Sequence, residues 1–154
     1  MRISSRILCV ALGIAVLAIA ETASAALGQS AASIAADRRS LSAAKPSKVP
    51  GDRFELHAYE SRGTTVREYL SPSGQVFAVA WDGLTHPDLA VLLGTYADEY
   101  RAASRETPRV RGQRNRRVEA PHVVVEMWGH MRHLQGRAYA PSLVPPGVDL
   151  DEIK

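Results

Sequence analysis

The chain carries one cysteine, Cys9, inside an N-terminal segment that reads as a removable leader. Thiol chemistry and cysteine-based metal sites are thereby excluded from everything that follows it. Disulfides, on which small exported domains commonly rely, are excluded with them. Past residue 25 no stretch is apolar enough to span a bilayer. Neither G-x-S-x-G, nor a P-loop, nor G-x-G-x-x-G occurs, so hydrolase, nucleotide and dinucleotide chemistries have no carrier. No internal repeat is present.

What is present begins with that leader. Arg2 and Arg6 form a positive start, Ile7 to Ala20 an apolar run, and Ala23-Ser24-Ala25 an A-x-A cleavage pattern. As a helix the run rises about 21 Å, short of a hydrocarbon core of about 30 Å, so it is expected to be cut after Ala25 rather than to anchor the chain. The expected location is periplasmic or secreted. The remaining 129 residues amount to one domain with an ordinary core.

The charge is uneven. Arg101 to Arg117 holds seven arginines against Glu106 alone. The rest of the chain beyond the leader is net acidic, by about −4.

Residues 26–52 read as an N-terminal helical segment and linker. Ser30 is placed to cap a peripheral helix through Ala43, and Pro46, Pro50 and Gly51 cannot continue it. Phe54 to Glu60 alternates as a half-buried strand, and Thr64 to Leu70 is the next. Ser71-Pro72-Ser73-Gly74 has the residues of a type I turn, and φ > 0 at Gly74 gives a hairpin with a G1 bulge. That register sets Tyr69 opposite Phe77 and Arg67 opposite Val79. Gln75 to Trp81 is apolar on both faces, Val76, Ala78 and Ala80 against Phe77, Val79 and Trp81, which places it mid-sheet.

Pro87 suits a first helical position, with Thr85 or His86 as cap. Leu89, Leu92, Leu93, Tyr96, Tyr100 and Ala103 form one apolar stripe. The arginine-rich segment to Glu119 shows no periodicity and reads as an exposed loop. Strands His122–Trp128 and Met131–Ala140 then flank Gly129-His130 as a type II′ turn, which sets Glu126 opposite His133 and Val125 opposite Leu134. Residues 53–147 are the expected domain, and Val148 to Lys154 a loose tail. The fold class is α+β: an antiparallel sheet of about five strands, β-β-β-α-β-β, packed on one long helix.

The spacing of Arg67-Glu68-Tyr69, Ser71-Pro72, Gly74 and Val76 to Trp81 resembles a small exported family of Gram-negative bacteria, catalogued as a domain of unknown function, number 2844 in that series. Pro87-Asp88-Leu89, Leu92-Leu93-Gly94 and Tyr96 resemble its helix. Gly129-His130-Met131-Arg132, Gly136-Arg137-Ala138-Tyr139 and Pro141 resemble its C-terminal hairpin. The resemblance implies export and a single domain, and it brings no activity with it.

Three constellations carry chemistry. Glu126 beside His133 would make an acid–base pair, since a carboxylate orients and charges an imidazole, and such a pair is the basis of a small periplasmic enzyme. His130 and His133 form H-x-x-H, but on one strand such residues face opposite ways, so neither a metal nor any other cofactor is expected. Arg105, Arg109, Arg111, Arg114, Arg116 and Arg117 form a basic segment suited to phosphate or carboxylate. Trp81, at the end of the central strand, is a candidate groove aromatic. The favoured reading is a non-enzymatic binding or envelope-associated protein, with an anionic envelope polymer or another exported protein as partner.

Overall fold

A computed structural model describes residues 27–30, 47–50 and 53–154. The expected leader and the body of the expected N-terminal helix lie outside these residues. Seven strands form one antiparallel sheet: β1 (Ser47–Pro50), β2 (Glu55–Ser61), β3 (Thr64–Leu70), β4 (Val76–Gly83), β5 (Arg116–Glu119), β6 (Val124–His130) and β7 (His133–Tyr139). Their spatial order is β1-β2-β3-β4-β7-β6-β5, so the doubly apolar strand β4 lies fourth of seven, mid-sheet as expected. The meander and the hairpin join through β4 and β7, from Ala78 opposite Tyr139 to Gly83 opposite Leu134.

Two of these strands are absent from the expected five. β1 falls where a linker was expected and β5 inside the arginine segment. Both are four-residue edge strands, and edges tolerate what sheet interiors exclude: a proline at the end of β1 and three charged residues of four in β5.

The hairpin between β3 and β4 has the expected turn. Gly74 takes φ +79, its amide donates to the Ser71 carbonyl at 2.8 Å, and Leu70 faces Val76. The register beyond it is not the expected one. A bulge at Phe77 puts Tyr69 opposite Ala78 and Arg67 opposite Ala80. Phe77 and Ala78 therefore share a face, and the true apolar sets are Val76, Val79 and Trp81 against Phe77, Ala78 and Ala80.

The helical stripe is also interrupted. Asp88 caps it, its carboxylate accepting from the Ala90 amide at 2.9 Å, in place of Thr85 or His86. Helix α1 (Leu89–Leu93) ends at Gly94, a 3₁₀ turn covers Gly94–Tyr96, and α2 (Ala97–Glu106) follows. Gly94 has φ +50 and ψ −117, a backbone that side chains oppose. In an unbroken helix the Leu92 carbonyl would accept from Tyr96; here it accepts from the Leu27 amide at 3.0 Å. The break admits the N-terminal segment, whose Gly28 and Gln29 bond the Val76 carbonyl and amide at 2.8 and 2.9 Å.

Each face of the sheet has its own cover. Leu92, Leu93 and Ala97, with the fully buried Leu27, close the face of Val66, Val79, Trp81, Val125 and Ala138. The opposite face, with Tyr69, Phe77, Ala80, Val124 and Tyr139, is closed by the last fourteen residues of the chain. Leu143, Val144, Val148 and Leu150 pack there, and Ile153 is 1% exposed. Asp149 caps a 3₁₀ turn at Leu150–Glu152, and the Tyr69 hydroxyl bonds the Lys154 backbone at 3.0 Å. The expected loose tail is thus a layer of the fold, because an apolar strand in mid-sheet needs both sides dry. The domain extends past both boundaries expected for it.

Trp81 is the largest fully buried side chain, so it lines no groove. It lies opposite Gly136, where any Cβ would enter its ring. Its Nε1–H donates to His86 Nδ1 at 3.0 Å. Indole only donates, so Nδ1 must be bare and His86 neutral with its proton on Nε2. Burial lowers the His86 pKa in the same direction.

Three outcomes test this packing. Gly136→Ala should cost about 1–3 kcal/mol by overpacking against the Trp81 ring, read from urea denaturation; an unchanged midpoint would refute that contact. Ile153→Ala should cost about 2 kcal/mol or more, where a loose tail would cost nothing. The unfolded chain protonates His86 near 6.5 and the folded chain resists, so stability is full above about 6.5 and falls as pH drops towards the lowered folded value. His86→Gln keeps an acceptor that does not titrate. Its stability relative to the parent should therefore be flat above about pH 6.5 and rise below it.

Candidate functional site

The seven arginines of the basic segment divide by what holds them. Arg101 pairs with Asp98 at 2.6 Å along the helix surface. Arg116 turns inward: its Nη2 donates to the carbonyl and hydroxyl of Ser104 at 2.7 and 3.0 Å, closing the C-terminus of α2, whose last carbonyls lack helical donors. Arg117 donates to Glu119 and to Glu126, each at 2.5 Å. The bond to Glu119 foremost, with Glu126 adding to it, raises its pKa above the usual arginine range. Arg105, on the last turn of α2, and Arg109, Arg111 and Arg114, on the loop 107–115, are exposed. Among the described residues no side-chain hydrogen bond or ion pair engages these four.

The expected pairing of Glu126 with His133 is not formed. The hairpin turns two residues later, at Met131-Arg132, with Arg132 at φ +67. Glu126 consequently faces Arg137, and Val125 faces Ala138. Gly129 is needed for close approach rather than for the turn, since a Cβ there would collide with the His133 carbonyl. His133 pairs across the hairpin with His130, their rings 5.9 Å apart, and stands 3.6 Å from Asp82. The two histidines thus share a face, contrary to the single-strand reading. Among the described residues no group of three or more potential ligands gathers as a metal site.

The residues that do come together form a polar row across the second face, from β5 to β4. Glu126 is clamped by Arg117 and by Arg137 Nε, both at 2.5 Å. Arg137 also donates to the Leu150 carbonyl and sits 5.9 Å over the Trp128 ring. Trp128 Nε1–H donates to Gln135 at 2.8 Å, and Gln135 donates to Asp82 at 2.5 Å. On this face β6 and β7 change from apolar (Val124, Tyr139) to polar (Glu126, Trp128, Gln135, Arg137) within two residues. That switch is the sequence signal that would have found the site.

β5 covers β6 only from Val124 to Met127, and beyond it residues of the loop 107–115 face Trp128 and Gly129 across open space. Two clefts result. The larger, of about 830 Å³, is lined by Arg117, Glu126, Trp128 and Arg137 and by Asp151, Ile153 and Lys154 of the docked C-terminus. The smaller, of about 360 Å³, is lined by His86, Arg109, Val110, Arg114, Gly129 and Leu134. Pro108, Gln113, Asn115, Arg116, Met127 and Trp128 line both. Of the expected binding residues, Arg109, Arg114, Arg116 and Arg117 line these clefts, while Arg105, Arg111 and Trp81 do not. Trp128, Arg137, Gln113 and Asn115 were not anticipated.

No curated protein and no solved structure matches the chain. A family model does, over residues 23–153, from the end of the expected leader through the whole sheet to the docked C-terminus. On that coverage the chain belongs to the family described as Protein of unknown function (DUF2844).

Proposed function

We propose that this is an exported binding protein, periplasmic or secreted, that holds an anionic polymer of the cell envelope on its arginine loop. The observation that carries the reading is that Arg109, Arg111 and Arg114 are exposed beside a cleft with no carboxylate of the described residues upon them. Three neighbouring arginines are consumed by the fold: Arg116 on a helix end, Arg117 and Arg137 on Glu126. A guanidinium left unpaired keeps its planar fork for a phosphate, sulfate or carboxylate. Three within one loop raise the local potential that draws such a ligand. Export is supported by Arg2, Arg6, the apolar run and the A-x-A pattern. No helix among the described residues is long and apolar enough to cross a membrane. The acid–base alternative loses its geometric support, because both oxygens of Glu126 are taken by guanidiniums.

Retention on immobilised heparin tests the reading. The protein should elute well into a salt gradient, and Arg109→Ala/Arg111→Ala/Arg114→Ala should elute at clearly lower salt, with affinity reduced by about tenfold or more. Elution of parent and variant together at low salt would sink it. Arg117→Ala, already neutralised, should shift elution far less than any loop arginine.

A further inference from the structure

The two clefts differ in charge in a way that bears on what the anionic ligand is. In the larger, Glu126 and Asp151 stand among Arg116, Arg117, Arg137 and Lys154, and Glu126 holds Arg117 and Arg137. A strand of nucleic acid, with a phosphate every few ångströms, would lay charge against Glu126 and Asp151. In the smaller cleft Arg109 and Arg114 line the wall and no carboxylate does. Trp128 belongs to both. Its indole N–H is satisfied by Gln135 and its ring is restrained by Arg137, which leaves a fixed apolar surface in the cleft wall. Beside it Gln113 and Asn115, exposed on the loop, present amides that both donate and accept. A flat aromatic ring with planar amides around it suits the C–H face and the hydroxyls of a sugar ring. The cleft volumes, about 830 and 360 Å³, fall within the range of about 300–1,000 Å³ usual for ligand sites.

We infer that the two clefts form one groove for an acidic oligosaccharide, its ring stacked on Trp128 in the larger cleft and its acidic group held by Arg109 and Arg114 in the smaller. This rests on the anion-binding reading above and narrows it from any polyanion to an acidic glycan. The carboxylates mixed into the larger cleft, the Trp128 ring and the amides beside it favour hydroxylated sugar rings over a continuous phosphate backbone.

Calorimetric titration tests it with four probes: tetragalacturonate, its methyl ester, neutral maltotetraose, and an oligothymidylate of comparable charge. Tetragalacturonate should bind most tightly, with the other three weaker by about tenfold or more. Trp128→Ala should weaken tetragalacturonate by about tenfold and Trp128→Phe by far less, since the ring and not the N–H carries the contact. Gln113→Ala/Asn115→Ala, on the exposed loop, should weaken tetragalacturonate several-fold while oligothymidylate binding is unchanged; this pair decides the matter if Trp128→Ala fails to fold. Arg109→Gln/Arg114→Gln should lower both. Equal affinity for oligothymidylate, or tetragalacturonate binding indifferent to Trp128→Ala and to the amide pair, overturns the glycan assignment while arginine-dependent heparin retention leaves the broader reading standing. If neither probe class depends on the loop arginines, both fall.

Discussion

Strand β4 is buried on both faces, and nearly every other feature of the molecule answers to that condition. Phe77, Val79, Ala80 and Trp81 are each at most 2% exposed, and burying a large apolar side chain of this kind contributes about 1.5–3 kcal/mol. One helix can dry only one side. The other side needs a second layer, which the chain supplies from its C-terminal segment, with Ile153 under Tyr69 and Phe77. The first side in turn needs Leu27, admitted at the Gly94 break in the helix. Segments more than a hundred residues apart in sequence thus meet on opposite faces of one strand.

Where the apolar second face runs out, charge replaces it. Glu126, 14% exposed, carries two arginines, and the row continues through Trp128 and Gln135 to Asp82. A half-buried carboxylate without partners would be costly; clamped between guanidiniums it is satisfied and fixes the geometry of both. The consequence for binding lies in the remainder. Arginines committed to this row or to the helix end are structural, and the loop arginines left over carry the net positive field.

Much of the architecture was legible because it rests on local patterns. The alternation of β2, the double apolarity of β4, the stripe from Leu89 and the glycine at position 74 are each visible within a few residues. The errors share a different cause. The bulge at Phe77, the turn at Met131-Arg132 and the edge strand β5 depend on which partner lies across the sheet, which no window of neighbouring residues encodes. Gly129 shows the difficulty in one residue: glycine marks either a turn or a close approach, and here the His133 carbonyl, not the turn, requires it. The excess of arginine near position 110 was plain, yet its division into structural and available groups was not. Arg116 and Arg117 are claimed by Ser104, Glu119 and Glu126, residues they meet only in the folded chain.

The chain's two tryptophans end up in opposite circumstances. Trp81 is sealed in the core with an imidazole on its indole nitrogen, and Trp128 stands in a cleft wall under a guanidinium. Indole emission follows the polarity around the ring and is quenched by a neighbouring charged imidazole. The protein therefore carries two built-in optical reporters, a blue-shifted one tied to the core and the state of His86, and a red-shifted one tied to the groove. Either can be silenced singly by exchange for phenylalanine, so events in the core and events at the groove can be followed separately in the same unlabelled molecule.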